Sequence, residues 1–306
     1  MALVDTNKNC VLFGYGATPD ANDVVNIEEF VNIAPDIKTE EYEEKDGQLG
    51  NKKSYQDPQH TTCALSIKAK LRGNDKTGTS PDALPAISGL LKASGLTETV
   101  TAGVSVEYTV NHGEISPSQA IVYLDGKKRV ATGIVNNFKL SGTVGTCAVV
   151  EFEGSGYTSV TDIAEANPTV TLDQEALMLV NKVSAVTVGG TAFNLESFSF
   201  DLGNVIKDIY AVGIGKFERT NFDAKIDLTG YKDSGDTSWQ DMENETLKEI
   251  IIVLGSGAGK TVTLTIESAQ PLTPSESDND GKLSITKSYR CVKNTASGEH
   301  FNLKWS

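Results

Sequence analysis

A unit of strand, polar loop, short helix and strand occurs twice in this chain, around residues 62–110 and again around 222–269. In the first copy, residues 65–73 (LSIKAKLRG) alternate apolar and polar side chains, as a half-buried strand does. Residues 224–230 (AKIDLTG) repeat the alternation. Polar stretches follow, 74–80 (NDKTGTS) and 231–238 (YKDSGDTS). Each leads into a segment that reads as a helix. The first spans 82–95, with Ala83, Ile87, Leu90 and Leu91 on one face; the second spans 241–255, with Leu247, Ile250, Ile251 and Leu254 on one face. Asp82 and Asp241 stand at N-cap positions, Gly95 and Gly255 just past the ends, and Pro85 in the first turn. Alternating strands close the copies, through Val104, Val106, Tyr108 and Val110, and through Val262, Leu264 and Ile266. The spacing is about 159 residues, which points to an internal duplication.

Length agrees with two domains of roughly 150 residues each. The expected division is an N-terminal segment at 1–60 that belongs to the first domain, a first β domain at 61–160, a linker at 161–175 and a second β domain at 176–306. The fold class expected is mainly β, as sandwich or barrel domains each with a flanking helix. Residues 119–124 lead into Asp125-Gly126, a hairpin turn signal, with 128–140 as the partner strand and Gly142 marking the next turn. Residues 144–153 continue as strand, and 154–169 read as a linker. The second half opens at 177–190, turns at Gly189-Gly190, and continues through 191–204 and an extended segment at 208–219.

With 41 acidic against 27 basic residues, the formal charge is −14. That balance argues against direct nucleic-acid binding and against an anionic membrane surface. No apolar run approaches the length of a membrane span, and the N-terminus lacks the pattern of a secretory signal. Cys10, Cys63, Cys147 and Cys291 are scattered and read as reduced core residues; His60, His112 and His300 lack metal-ligand spacing. Residues 254–261 (LGSGAGKT) imitate a phosphate-binding loop, but Leu254 stands where that pattern needs its first Gly. The expected context, helix then strand, is also the reverse of a phosphate loop, so a glycine C-cap and tight turn is the reading. No catalytic, metal or cofactor-binding residue is assigned, and no enzyme is expected.

Residues 16–60 have few regular apolar positions and a dense acidic run, Glu40, Glu41, Glu43, Glu44 and Asp46, followed by Lys52 and Lys53. This reads as a long loop or extended arm.

Four stretches then carry a resemblance: residues 90–100 (LLKASGLTETV), 116–146 (SPSQAIVYLDGKKRVATGIVNNFKLSGTVGT), 151–157 (EFEGSGY) and 186–206 (VTVGGTAFNLESFSFDLGNVI). Together they resemble phage tail tube (major tail) proteins of the duplicated, long-tailed-phage type, over about two thirds of the chain and most weakly in its first 50 residues. The resemblance implies a virion structural protein whose rings stack into a hollow conduit for double-stranded DNA. Two domains per chain then imply three chains per six-fold-like ring. Implied partners are other copies of the chain, tail terminator and baseplate or tail-tip proteins. Genomic DNA would pass without sequence-specific binding. In that setting Glu40, Glu41, Glu43, Glu44, Lys52 and Lys53 are candidates for an inter-ring contact, and Glu196 and Asp201 for carboxylates on the channel wall. A tail terminator, baseplate ring or capsid decoration protein is the alternative, with a carbohydrate-binding sandwich module behind it.

Overall fold

A computed structural model describes residues 6–43, 52–74, 84–173, 175–181, 184–255 and 260–306. The first half runs β1 (Asn9–Tyr15), β2 (Val24–Val25), β3 (Ala34–Glu43), β4 (Lys52–Lys70), helix α1 (Ser88–Ala93), β5 (Leu96–Thr101), β6 (Ser105–Val110), β7 (Ser118–Leu124), β8 (Lys127–Thr143), β9 (Val149–Thr158) and β10 (Ile163–Ala164). The second runs β11 (Ala185–Val188), β12 (Thr191–Ala192), β13 (Leu195–Asp201), β14 (Asn204–Ala211), β15 (Ile214–Phe222), β16 (Lys225–Tyr231), helix α2 (Ser238–Glu243), β17 (Lys248–Gly255), β18 (Thr261–Pro271), β19 (Ser275–Asn279), β20 (Lys282–Cys291) and β21 (Asn302–Trp305). The mainly β class expected from the sequence is the class observed.

Two antiparallel ladders cross from one half to the other. The first follows the order β3-β4-β9-β8-β13-β16-β20-β19. Its crossing point is the pairing of β8 with β13, from Thr143 opposite Ser197 to Lys139 opposite Asp201. The second follows β5-β6-β21-β18-β17-β11 and crosses where Val106 to Tyr108 pair with Leu303 to Trp305. Alternation sends one set of side chains from each ladder inward, into a single core that both halves share. Phe138 and Phe200, from opposite sides of the crossing, lie 6.0 Å apart between ring centroids, and Phe301 packs edge-on against Phe200 at 4.9 Å.

The second expected helix is instead mostly strand. Residues 248–255 form β17, paired on both sides, and α2 occupies only 238–243. Ile250, Ile252 and Leu254 are buried while Leu247 is exposed, so the apolar period is two and not 3.6. Three consecutive isoleucines and a valine are stiff at χ1 and fit a pleated surface better than a helix. Asp241 sits in the first turn of α2, accepting from Thr237 Oγ1 at 2.8 Å, and is not the N-cap. Gly255, at φ +78°, ends a strand rather than capping a helix. The loop at 256–259 lies outside the described residues; it joins two antiparallel strands, again not a strand to a helix.

The first helix is shorter than expected, but its buried face is the expected one: Ile87, Leu90 and Leu91. It ends before Gly95, whose φ of +84° a side chain would resist. Asp82 and Ala83 lie outside the described residues. The Asp125-Gly126 turn is observed with both residues at positive φ, as a tight hairpin requires. Gly142 is not a turn. It lies within β8, where a Cβ would come 2.6 Å from Val180 and 2.7 Å from Phe198, so it serves close packing. Residues 154–158 belong to β9 and not to a linker. The segment at 208–219 is a hairpin, β14–β15, turning at Val212-Gly213. The acidic arm is likewise strand on both sides: Glu43 pairs opposite Lys52 and Tyr42 opposite Lys53.

Candidate functional site

The eight-stranded ladder has one face in the core and one reaching solvent. On the solvent side, three rows of directly opposed residues run across the strands. The first is Lys68, Glu151, Lys139, Asp201, Lys225 and Arg290. The second is Lys70, Val149, Ser141, Ser199, Asp227 and Ser288, and the third is Thr143, Ser197, Thr229 and Thr286. All are half-buried or exposed, and only Val149 is aliphatic. The same strands place Ile67, Val150, Phe152, Phe138, Leu140, Phe198, Phe200, Ile226 and Leu228 in the core. Sequence creates both faces at once, because each apolar residue is followed by a hydroxyl or charged one.

The cations on this face are held by carboxylates. Lys68 reaches Glu29 at 3.2 Å and Glu151 at 3.5 Å, Lys70 reaches Glu28 at 2.9 Å, and Lys139 reaches Glu153 at 2.7 Å. Lys225 and Arg290 both contact Asp223, at 3.0 and 2.8 Å. The hydrogen bonds to Glu29, Glu28 and Glu153 raise the ammonium groups of Lys68, Lys70 and Lys139 above their ordinary range, so these cations stay charged and occupied. A surface of hydroxyls and neutralised lysines offers a passing polyanion little to bind, since phosphate binding draws on free Lys and Arg.

Asp201 lies in the first row, but its Oδ1 accepts from Asn137 Nδ2 and from the Gly203 amide, each at 2.8 Å. Glu196 sits at a bulge in β13 and accepts from Asn279 at 3.1 Å and Ser284 at 3.4 Å. Its bond with Tyr231 raises that phenol. Glu40, Glu41 and Glu43 line β3 of the projecting hairpin, and Lys52 and Lys53 open β4 across from it; Glu44 lies outside the described residues. The structure therefore brings Asp201 together with the polar rows and keeps the arm residues apart from them.

A second projecting hairpin, β14–β15, was not distinguished in the sequence. Arg219 fixes its base by donating to the carbonyls of Gly95, at 3.0 Å, and Asn111. Asn204 Nδ2 donates to Ser94 and Asn136 carbonyls at 2.7 and 2.8 Å. Further out, Asp208 accepts from His60 at 2.6 Å and Tyr157 at 2.5 Å, and Tyr210 donates to Asp57 at 2.9 Å. Burial first, then the bond to Asp208, pushes the Tyr157 phenol far above its usual range. The two hairpins, one from each half, are thus tied side by side. Val212 at the tip is fully exposed. The signal that could have found this hairpin is the pair Val212-Gly213, a turn within an otherwise alternating run.

Among the described residues no cluster of three or more His, Cys, Asp and Glu could hold a metal, and all four cysteines are free. A family model described as phage tail tube protein matches residues 14–290. A comparison with curated proteins found no match.

Proposed function

The chain belongs to the phage tail tube protein family, and from that premise we propose that it forms rings of three copies, stacked into a conduit through which double-stranded DNA leaves the capsid. The family makes it a structural component of the virion tail, not an enzyme, and a protein that assembles with itself into a tube. The observation that carries the finer reading is the free polar face of the eight-stranded ladder. Its other face is committed to the core, so the polar face is the one available to line a bore. Hydroxyls and paired lysines there would let DNA slide without adhering.

Three copies per ring follow from treating the chain as a duplication. Topology supports that treatment: each half has a strand, a projecting hairpin, a returning strand, a short helix and a further hairpin, in that order. The proposed inter-ring contact is the hairpin that carries Glu40, Glu41, Glu43, Lys52 and Lys53. Negative-stain electron microscopy of the concentrated protein tests the whole reading. Hollow tubes with three chains per ring are expected. Six chains per ring would refute the stoichiometry, and isolated single rings would favour a terminator or baseplate role.

A further inference from the structure

We infer that His112 and His300 form a two-histidine site for a nitrogen-preferring divalent cation, of the class of Cu²⁺, Ni²⁺ and Zn²⁺. The two residues lie far apart in the chain, so no ligand spacing announces them. His112 follows β6 in the first half, and His300 stands just before β21 in the second. These strands pair antiparallel, with Tyr108 opposite Leu303. Continuing that register from Tyr108 to His112 reaches Glu299, next to His300.

The separation suits a shared metal. The ring centroids are 5.7 Å apart, with the planes inclined at 48°. Two imidazoles bound to one metal through nitrogens at about 2.1 Å place their centroids about 5–6 Å apart, for ligand angles from tetrahedral to wider. The lone pairs are also available. His300 Nδ1 is buried and has no hydrogen-bond partner. Burial, and then the charges of His112 and Lys293, hold His300 below the ordinary histidine range, so near neutral pH it is the uncharged imidazole that a metal requires. Coordination would satisfy an atom that is otherwise buried without a partner.

A cation can also reach the pair. His112 is exposed and lines a groove of about 600 Å³ together with Phe222 and Arg219, with room for the waters that complete the coordination shell. The Phe222 ring, 4.9 Å from His300 and 6.4 Å from His112, forms an apolar wall beside both.

Charge around the pair is close to balanced, and this decides the class of metal. Glu299 Oε2 is buried without a partner, and Glu114 lines the same groove. Against them stand Lys293, which is exposed and screened, and Arg219, whose guanidinium is turned to the carbonyls of Gly95 and Asn111. Mg²⁺ and Ca²⁺ draw on several carboxylate and carbonyl oxygens and find little here. Imidazole nitrogens favour Cu²⁺, Ni²⁺ and Zn²⁺. Once filled, the site ties the segment before β21 to the end of β6, beside the base of the β14–β15 hairpin.

Calorimetric titration of the full chain with Ni²⁺ is the test, and His60, the remaining histidine of three, is its control. One Ni²⁺ per chain is expected. Binding should weaken at least about tenfold in His112→Ala and in His300→Gln, the scale that even an outer partner of a ligand carries. It should be unchanged in His60→Gln. His112 is exposed, so its replacement leaves the core intact. No binding by the parent, equal binding by His112→Ala, or loss in His60→Gln would each overturn the site. Excess Mg²⁺ should not compete; displacement of Ni²⁺ by Mg²⁺ would mean a carboxylate site and overturn it too. Bound Cu²⁺ gives a second readout in the unaltered protein: its pulsed paramagnetic resonance should show two imidazoles, and fewer than two refutes the pair.

Discussion

His60 Nε2 lies 2.6 Å from Asp208 Oδ2, so a strand of the first half holds a hairpin of the second. The same carboxylate takes the Tyr157 hydroxyl, while Tyr210 from the hairpin packs at a tilt against the His60 ring, with centroids 4.2 Å apart. No side chain of β14 or β15 is fully buried; Phe222 at the base packs against the core, and further out polar ties hold the hairpin. Asp208→Ala should therefore leave global stability within about 1 kcal/mol. Proteolysis between residues 204 and 222 should become several-fold faster. Equal cleavage rates in the variant and the parent would show that Asp208 does not restrain the hairpin.

Phe200→Ala should cost about 3–5 kcal/mol, because the ring is fully buried between Phe138 and Phe301 in the shared core. Urea unfolding should remain one transition, displaced to lower urea. Two separated transitions would mean that the halves unfold independently despite sharing that core.

Acid should destabilise the protein through its paired carboxylates. The Arg129 hydrogen bond, and secondarily Lys127, holds Asp162 below the usual range. At Asp236 burial works upward, but Lys287 and Ser238 outweigh it and the carboxyl ends lower. A depressed folded-state pKa gives stability that is present above the unfolded value, near 4, and is lost as pH falls through the folded one. The urea midpoint should thus be nearly flat from pH 5 to 7 and fall below about 4. Asp162→Asn should lower the plateau and flatten the acid limb; an unchanged limb would remove Asp162 from the account.

Modification should separate the cysteines by depth. Burial raises the Cys63 thiol to about 11 and the Cys291 thiol to about 12. At pH 8 both should resist maleimide in the folded protein and react fully in urea. Rapid labelling of either in the absence of denaturant would contradict their burial.

Lysine placed at Ser141 and Ser199 should make the polar face adhesive. Both hydroxyls reach solvent beside paired cations, so the new ammonium groups would have fewer carboxylates to share. Tubes of the double variant should retain DNA at about 50 mM salt and release it at about 200 mM, as counterion release requires. No retention at low salt would argue that this face does not meet DNA.

Much of the fold was legible because alternation reads directly as strand. The Asp125-Gly126 turn, the strands around Ile67 and Ile226, and the buried face of α1 all follow from local pattern. The run Ile250–Val253 misled because continuous apolar residues fit a helix face and a doubly paired strand equally well by period. Its β-branching was the deciding signal. Gly142 looked like punctuation, but its reason is the closeness of Val180 and Phe198, which only tertiary packing creates. The polar face was half visible in Phe198-Ser199-Phe200-Asp201. That it continues from β13 into β8 depends on a pairing between distant segments, which no local pattern encodes.

Because β8 and β13 belong to one polypeptide, their joint forms at any protein concentration. Mass action governs only the contacts between separate copies. In a ring of three, half of the six joints between tube-like units would be present from synthesis, and dilution could act on the remaining half alone.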